Sequence, residues 1–146
     1  MKGDRLYGLA LKEASTDSAE LSRVFALLEK AKKMKNYKAT YALGTWYLFG
    51  KYVEKDINKA FELFLLASEN NIPEACYDIA KCYEEGIGTK KDPNNAFFYY
   101  MKAALLGDRQ SIYEVGRLYY YGIGIKKNIE LANLWLDMAD FYGIQD

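Results

Sequence analysis

The chain of 146 residues has no histidine, only two cysteines and two prolines, and no surplus of either charge, 20 basic side chains standing against 20 acidic ones. Each shortage excludes something. Without histidine, the commonest general base and the commonest metal ligand are both missing. Two cysteines are too few for a disulfide framework. Cys76 and Cys82 fall on one helix in the reading below, about 9 Å apart along its axis and about 240° around it. That is beyond disulfide reach, so a pair of buried reduced thiols is expected. Balanced charge argues against a nucleic-acid footprint, which takes the form of a clustered basic surplus. No stretch of about 18 apolar residues is present to span a membrane, and Met1-Lys2-Gly3-Asp4-Arg5 does not begin a secretory signal. A cytoplasmic protein is expected.

What is present is a repeat. Stepping 36 residues at a time brings the chain into register without a gap. Tyr41, Tyr77 and Tyr113 coincide, as do Tyr47, Tyr83 and Tyr119, then Gly50, Gly86 and Gly122, and Ala67, Ala103 and Ala139. Stepping backwards uncovers a degraded copy at 3–38, where Gly8 falls on the Gly44 position and Phe25 on Phe61. The remaining copies are 39–74, 75–110 and 111–146, so 1–146 reads as one repeat domain.

Each copy reads as helix, turn, helix. In the second copy the first helix is expected over Ala39–Phe49, with Tyr41, Leu43, Gly44 and Tyr47 as its stripe, and the second over Asn58–Asn70, with Ala60, Leu63, Phe64 and Ala67 turned inward. Gly50, Gly86 and Gly122 sit where a left-handed residue ends a helix at no steric cost. Asp56, Asp92 and Asn128 are preferred caps for the helix that follows, Pro93 suits a first helical position, and Ser18 could cap the degraded copy. Small residues at Gly44, Ala60 and Ala67 permit close helix approach.

The run Ala75-Cys-Tyr-Asp-Ile-Ala-Lys-Cys-Tyr-Glu-Glu-Gly-Ile-Gly, followed by Asp92, Ala96, Tyr99 and Lys102-Ala-Ala-Leu-Leu-Gly107, resembles a Sel1-like repeat, a relative of the tetratricopeptide repeat with a longer loop. Val115-Gly116-Arg-Leu-Tyr119 with Gly122-Ile-Gly124 matches equally well, and the second copy departs at Tyr52. The resemblance implies an all-α, right-handed α-α superhelix, a solenoid of about four 36-residue helix-turn-helix repeats. Such a stack needs a terminal unit with a polar outer face. Phe61 and Phe97 become Asn133, Leu65 and Met101 become Asp137, and Ser68 and Ala104 become Asp140, all on one helical face. The last copy is therefore expected to be a C-terminal cap, with residue 146 at or near the end of the protein. Phe141, Tyr142 and Ile144 leave some apolar surface there for a partner or a weak self-contact of an otherwise monomeric chain.

Nothing in the sequence composes a catalytic, metal or cofactor site. Gly86-Ile87-Gly88-Thr89-Lys90 follows no strand and recurs as Gly122-Ile123-Gly124-Ile125-Lys126, which marks it as repeat punctuation rather than a phosphate loop. Glu84-Glu85 reads as solvated surface charge. The family resemblance implies instead that the first helices line a concave groove that binds another protein. On this chain the groove positions are Tyr41, Thr45 and Leu48, then Tyr77, Lys81 and Glu84, then Tyr113, Arg117, Tyr120 and Tyr121. Tyr47, Tyr83 and Tyr119 are core, Tyr41, Tyr77 and Tyr113 read equally as half-buried packing, and Tyr120-Tyr121 is the clearest aromatic excess. Residues 1–38 hold nine basic and five acidic side chains, whereas 39–74 and 111–146 each hold three and five, a mild dipole able to orient an acidic partner. The resemblance points to a non-enzymatic interaction module, first of all a bacterial cytoplasmic immunity or inhibitor protein that covers a toxin. A signalling or assembly adaptor is the alternative. A cell-wall-ligand-binding enzyme of the cysteine-rich repeat type stands third, since paired cysteines are missing from all but one copy.

Overall fold

A computed structural model describes residues 3–16 and 20–144. Among them are eight helices, α1 (Asp4–Ala14), α2 (Leu21–Lys33), α3 (Tyr37–Phe49), α4 (Ile57–Glu69), α5 (Pro73–Glu85), α6 (Pro93–Leu105), α7 (Arg109–Tyr121) and α8 (Ile129–Phe141), and no strand. They gather into two compact units, Met1–Asn70 and Asn71–Asp146. Each unit consists of two helical hairpins packed side by side, α1–α2 with α3–α4 in the first and α5–α6 with α7–α8 in the second.

The loops follow from their residues. The side chains of Asp56, Asp92 and Asn128 accept the N–H of Lys59, Asn95 and Leu131 at 3.0, 3.2 and 3.0 Å. Gly50, Gly86 and Gly122 terminate α3, α5 and α7 with φ of 67°, 76° and 70°. The next residue's N–H then reaches back to the carbonyl of Trp46, Cys82 or Leu118, the six-to-one bond of a Schellman ending. A second main-chain bond closes each loop: Asp56, Asp92 and Asn128 donate their N–H to the carbonyls of Tyr47, Tyr83 and Tyr119 at 2.9, 2.8 and 3.0 Å. The repeated tyrosine thus has its ring half-buried against a core and its carbonyl tying the loop.

The helices begin one or two residues before the positions expected from periodicity, and the caps explain why. Asn36 accepts the Ala39 N–H at 3.0 Å and so starts α3 at Tyr37. Two periods on, Asp108 accepts the Ser111 N–H at 3.0 Å and starts α7. The position between them is Ile72, which offers no side-chain cap and is followed by Pro73. The capping role expected of Ser18 falls outside the described residues, and α2 starts after Glu20 with no side-chain cap bond.

Inside the hairpins, close approach is decisive at two glycines. A Cβ on Gly44 would stand 2.6 Å from the Phe64 ring, and one on Gly116 would stand 2.9 Å from the Leu136 side chain. Gly8, which the register places at the same position, has nothing within 4 Å of where a Cβ would lie, so the degraded copy makes no such contact there. Tyr52 takes the left-handed conformation of the missing second glycine, φ 63°, and lays its ring 5.4 Å from that of Phe25. The unit Met1–Asn70 is cored by Val24, Leu28, Leu43, Trp46 and Leu63, and Asn71–Asp146 by Ala80, Ala96, Tyr100, Val115 and Leu118. On α8, Asn133, Asp137 and Asp140 are exposed, whereas their counterparts Phe61, Phe97, Leu65 and Met101 are half-buried. Cys76 and Cys82 are buried thiols, not joined in a disulfide.

Two predictions follow from these positions. Asn36 is fully buried and also donates through Nδ2 to Asp4 Oδ1 at 2.8 Å, so it holds α1 as well as capping α3. Asn36→Ala is expected to cost about 1–2 kcal/mol in urea unfolding, at the upper end for a lost cap. Burial pushes both thiols up, Cys82 to about 11, so neither is an appreciable thiolate at neutral pH. Alkylation by iodoacetamide at pH 8 should be far slower in the native chain than in urea, and equal rates would contradict the burial.

Candidate functional site

Three of the positions expected to line a groove lie in Met1–Asn70. The Tyr41 ring rests on Phe64 with centroids 5.4 Å apart. Thr45 Oγ1 donates to the Ala42 carbonyl of its own helix at 2.6 Å, and Leu48 is half-buried. These side chains are occupied mainly with packing.

The other seven lie in Asn71–Asp146, on α5 and α7, and the structure brings them together around two clefts that share Arg117. The first, of about 480 Å³, is lined by Tyr77, Lys81, Glu84, Glu85, Tyr100, Glu114 and Arg117. The second, of about 310 Å³, is lined by Tyr113, Arg117, Tyr120, Tyr121 and Leu136.

Glu84 is not the solvated charge its sequence context suggests. Both of its oxygens accept from Arg117 Nη2 at 2.9 Å, and Oε1 also accepts the buried Tyr100 hydroxyl at 3.0 Å. Arg117 Nε in turn donates to Glu114 Oε2 at 2.7 Å. One guanidinium from α7 therefore serves a carboxylate one turn back on its own helix and another on α5. A planar fork can do this; a point ammonium cannot. Burial would lower the Arg117 pKa, but the bonds to Glu114 and Glu84 more than reverse this and raise it. Burial, then the Glu84 charge, push the Tyr100 phenol far above its ordinary range, so it stays a donor. Burial and the Glu114 carboxylate also raise Tyr77.

Around this fixed centre the lining is aromatic. The Tyr77 ring stands edge-on to Tyr100 at 5.8 Å, with Lys81 Nζ 5.8 Å from its centroid. Tyr120 and Tyr121 form an edge-to-face pair at 5.0 Å, and Tyr121 is 66% exposed. With Glu84, Glu85 and Glu114 against Lys81 and Arg117, and Arg117 already engaged by two of those carboxylates, the clefts present tyrosine faces beside a surplus of negative charge. Such a surface suits a basic side chain flanked by apolar ones, through ion pairing and cation–π contact. Among the described residues no group of three His, Cys, Asp or Glu side chains is arranged to hold a metal ion, and no helix is long and apolar enough to cross a membrane.

The network generates a stability prediction. Arg117→Ala would leave Glu84 and Glu114 facing one another partly buried without their cation, at a cost of about 2–4 kcal/mol. Arg117→Lys should recover only part of this, since an ammonium cannot reproduce the fork. Urea unfolding of the two variants checks the order.

Comparison with known proteins places this architecture. The Sel1 repeat model matches residues 38–72, 73–108 and 109–139, beginning slightly before the boundaries read from the period alone, as the caps Asn36 and Asp108 require. No curated protein matches the sequence significantly. Among solved structures, a Sel1 repeat protein from Oxalobacter formigenes is 30% identical, with a TM-score of 0.77 over 81% of this chain and 89% of its own. A protective antigen present in uropathogenic Escherichia coli strains, displaying an SLR fold, gives a TM-score of 0.89 over 97% of this chain and 31% of its own at 24% identity, a likeness of fold. An immunity protein from Pseudomonas aeruginosa is 28% identical, with a TM-score of 0.65 over 97% of this chain and 53% of its own. The chain thus spans about half the length of that immunity protein. The eight described helices, the absence of strands among the described residues and the repeated hairpin correspond to the all-α solenoid fold of these proteins. With three matched repeats filling most of its length, the chain belongs to the Sel1 repeat family.

Proposed function

We propose that this chain is a non-enzymatic binding protein that captures a partner protein on the α5–α7 face of Asn71–Asp146, and that the partner is a toxin which it neutralises. Sel1 repeats are protein-interaction modules, so the general role follows from the family. The observation that carries the finer reading is the exposed Tyr120–Tyr121 pair beside the Arg117 network. Large rings held at low rotamer cost next to a fixed charged centre form the kind of surface on which binding energy concentrates. The likeness to immunity proteins of Pseudomonas aeruginosa supports the toxin as partner class, and the surplus of carboxylates favours a basic patch on it.

Arg117 is unsuited to an alanine test of binding, because its loss would unsettle the unit that carries the site. Tyr120→Ala with Tyr121→Ala removes exposed rings instead. The double variant should weaken capture of a toxin encoded by a neighbouring gene by about 2 kcal/mol or more, roughly 30-fold, with the melting temperature nearly unchanged. Co-expression of the wild-type chain should restore growth to cells producing the toxin, and the double variant should not. Undiminished capture by the variant would overturn the site; failure of the wild type to rescue growth would overturn the toxin.

A further inference from the structure

The second helices of Asn71–Asp146 carry large apolar side chains on a face that the fold does not require to be apolar. On α6 these are Phe98 and Leu105, 57% and 75% exposed; on α8 they are Leu134 and Phe141, 61% and 83% exposed. The two pairs lie one repeat period apart, Phe98 with Leu134 and Leu105 with Phe141. At the same two positions the second copy has Glu62 and Glu69, and the first has Ala26 and Lys33. The hairpin therefore folds with a wettable residue at each position, and the apolar choice answers some other demand. Within each helix the paired residues are seven apart, two turns along one face. A groove of about 470 Å³ runs beside them, lined by Leu105 of α6, Ile112 of α7 and Trp135 and Met138 of α8.

We propose that this face pairs with the same face of a second copy in a two-fold symmetric dimer. The area fits. At roughly 150–250 Å² for a large apolar side chain, the exposed fractions leave on the order of 500 Å² of apolar surface, at the upper end of what a monomer presents. A homodimer interface of standard size takes about 800 Å² from each partner, roughly two thirds of it apolar, which is about this amount. The pattern fits as well. α6 and α8 are equivalent helices of successive repeats, each carrying one phenylalanine and one leucine, in opposite order along the chain. A two-fold axis lying in the face, whether along the helices or across them, sets every phenyl ring against a leucine of the other copy. The surface is thus complementary to itself, as an isologous contact requires. It uses neither the α5–α7 clefts nor Tyr120 and Tyr121, so dimerisation and partner capture do not compete for residues.

Sedimentation of the full chain over concentrations from about 1 to about 100 µM tests the proposal, a range that brackets a micromolar dissociation constant. A reversible monomer–dimer equilibrium is expected. Leu134→Glu with Phe141→Glu should weaken it at least tenfold while leaving helix content and melting unchanged for the dilute monomer. Phe98→Glu with Leu105→Glu, which install the second copy's own residues on α6, should do the same and guard against a misfolded α8 variant. A chain that stays monomeric throughout the range overturns the proposal, whether or not the face takes up another protein. So does a dimer unaffected by both pairs of substitutions.

Discussion

One main-chain hydrogen bond organises every hairpin after the first: the N–H of the residue that caps the second helix donates to the carbonyl of a tyrosine in the last turns of the first helix. It fixes where the second helix starts relative to the first, and so which of its residues turn inward. Because the bond is backbone to backbone, it tolerates change in the loop between. The second copy has Tyr52 where the others have Gly88 and Gly124, yet its closing bond is as short as theirs. The packing that follows, Phe64 over Gly44 and Leu136 over Gly116, is possible because that register is set.

The outcome is a division of labour between helices. In Asn71–Asp146 the first helices hold a charged and aromatic centre, anchored by the fork of Arg117, and the second helices hold aliphatic and phenyl groups turned outward. Rigidity in the former comes from satisfied polar groups: Glu84, Arg117 and Glu114 bond to one another, Tyr100 reaches in from α6, and among the described residues no buried side-chain nitrogen or oxygen lacks a partner. A network satisfied in this way holds its geometry before any partner arrives, which keeps the ordering cost of binding low.

Much of the fold was legible in the sequence, because its determinants recur at a fixed distance. Glycine endings, the caps at Asp56, Asp92 and Asn128 and the inward alanines all repeat with the period, and local chemistry decides each of them. Asn36 and Asp108 were equally readable, one period on either side of an isoleucine that breaks the pattern. The bond between Glu84 and Arg117 was not. Those residues are separated by 33 positions, three short of a repeat, and are neighbours only once one hairpin leans on the next. Without that contact Glu84-Glu85 looks like ordinary surface charge. Of the outward pairs on α6 and α8 only Phe141 was legible as apolar surface: periodicity points to what is buried, whereas the meaning of Phe98, Leu105 and Leu134 lies in differing from the first two copies.

The gapless spacing of the copies has a genetic corollary. Since each cap, glycine and closing tyrosine recurs at the same interval, unequal crossing-over between gene segments could remove or duplicate a whole block and leave all remaining joints in phase. Variation in the number of copies would then be cheap, whereas insertion of a single codon inside a helix would turn the rest of that helix by about 100° against the residues before it. Such a gene is free to reshuffle its recognition surfaces wholesale while its helices remain nearly constant in length.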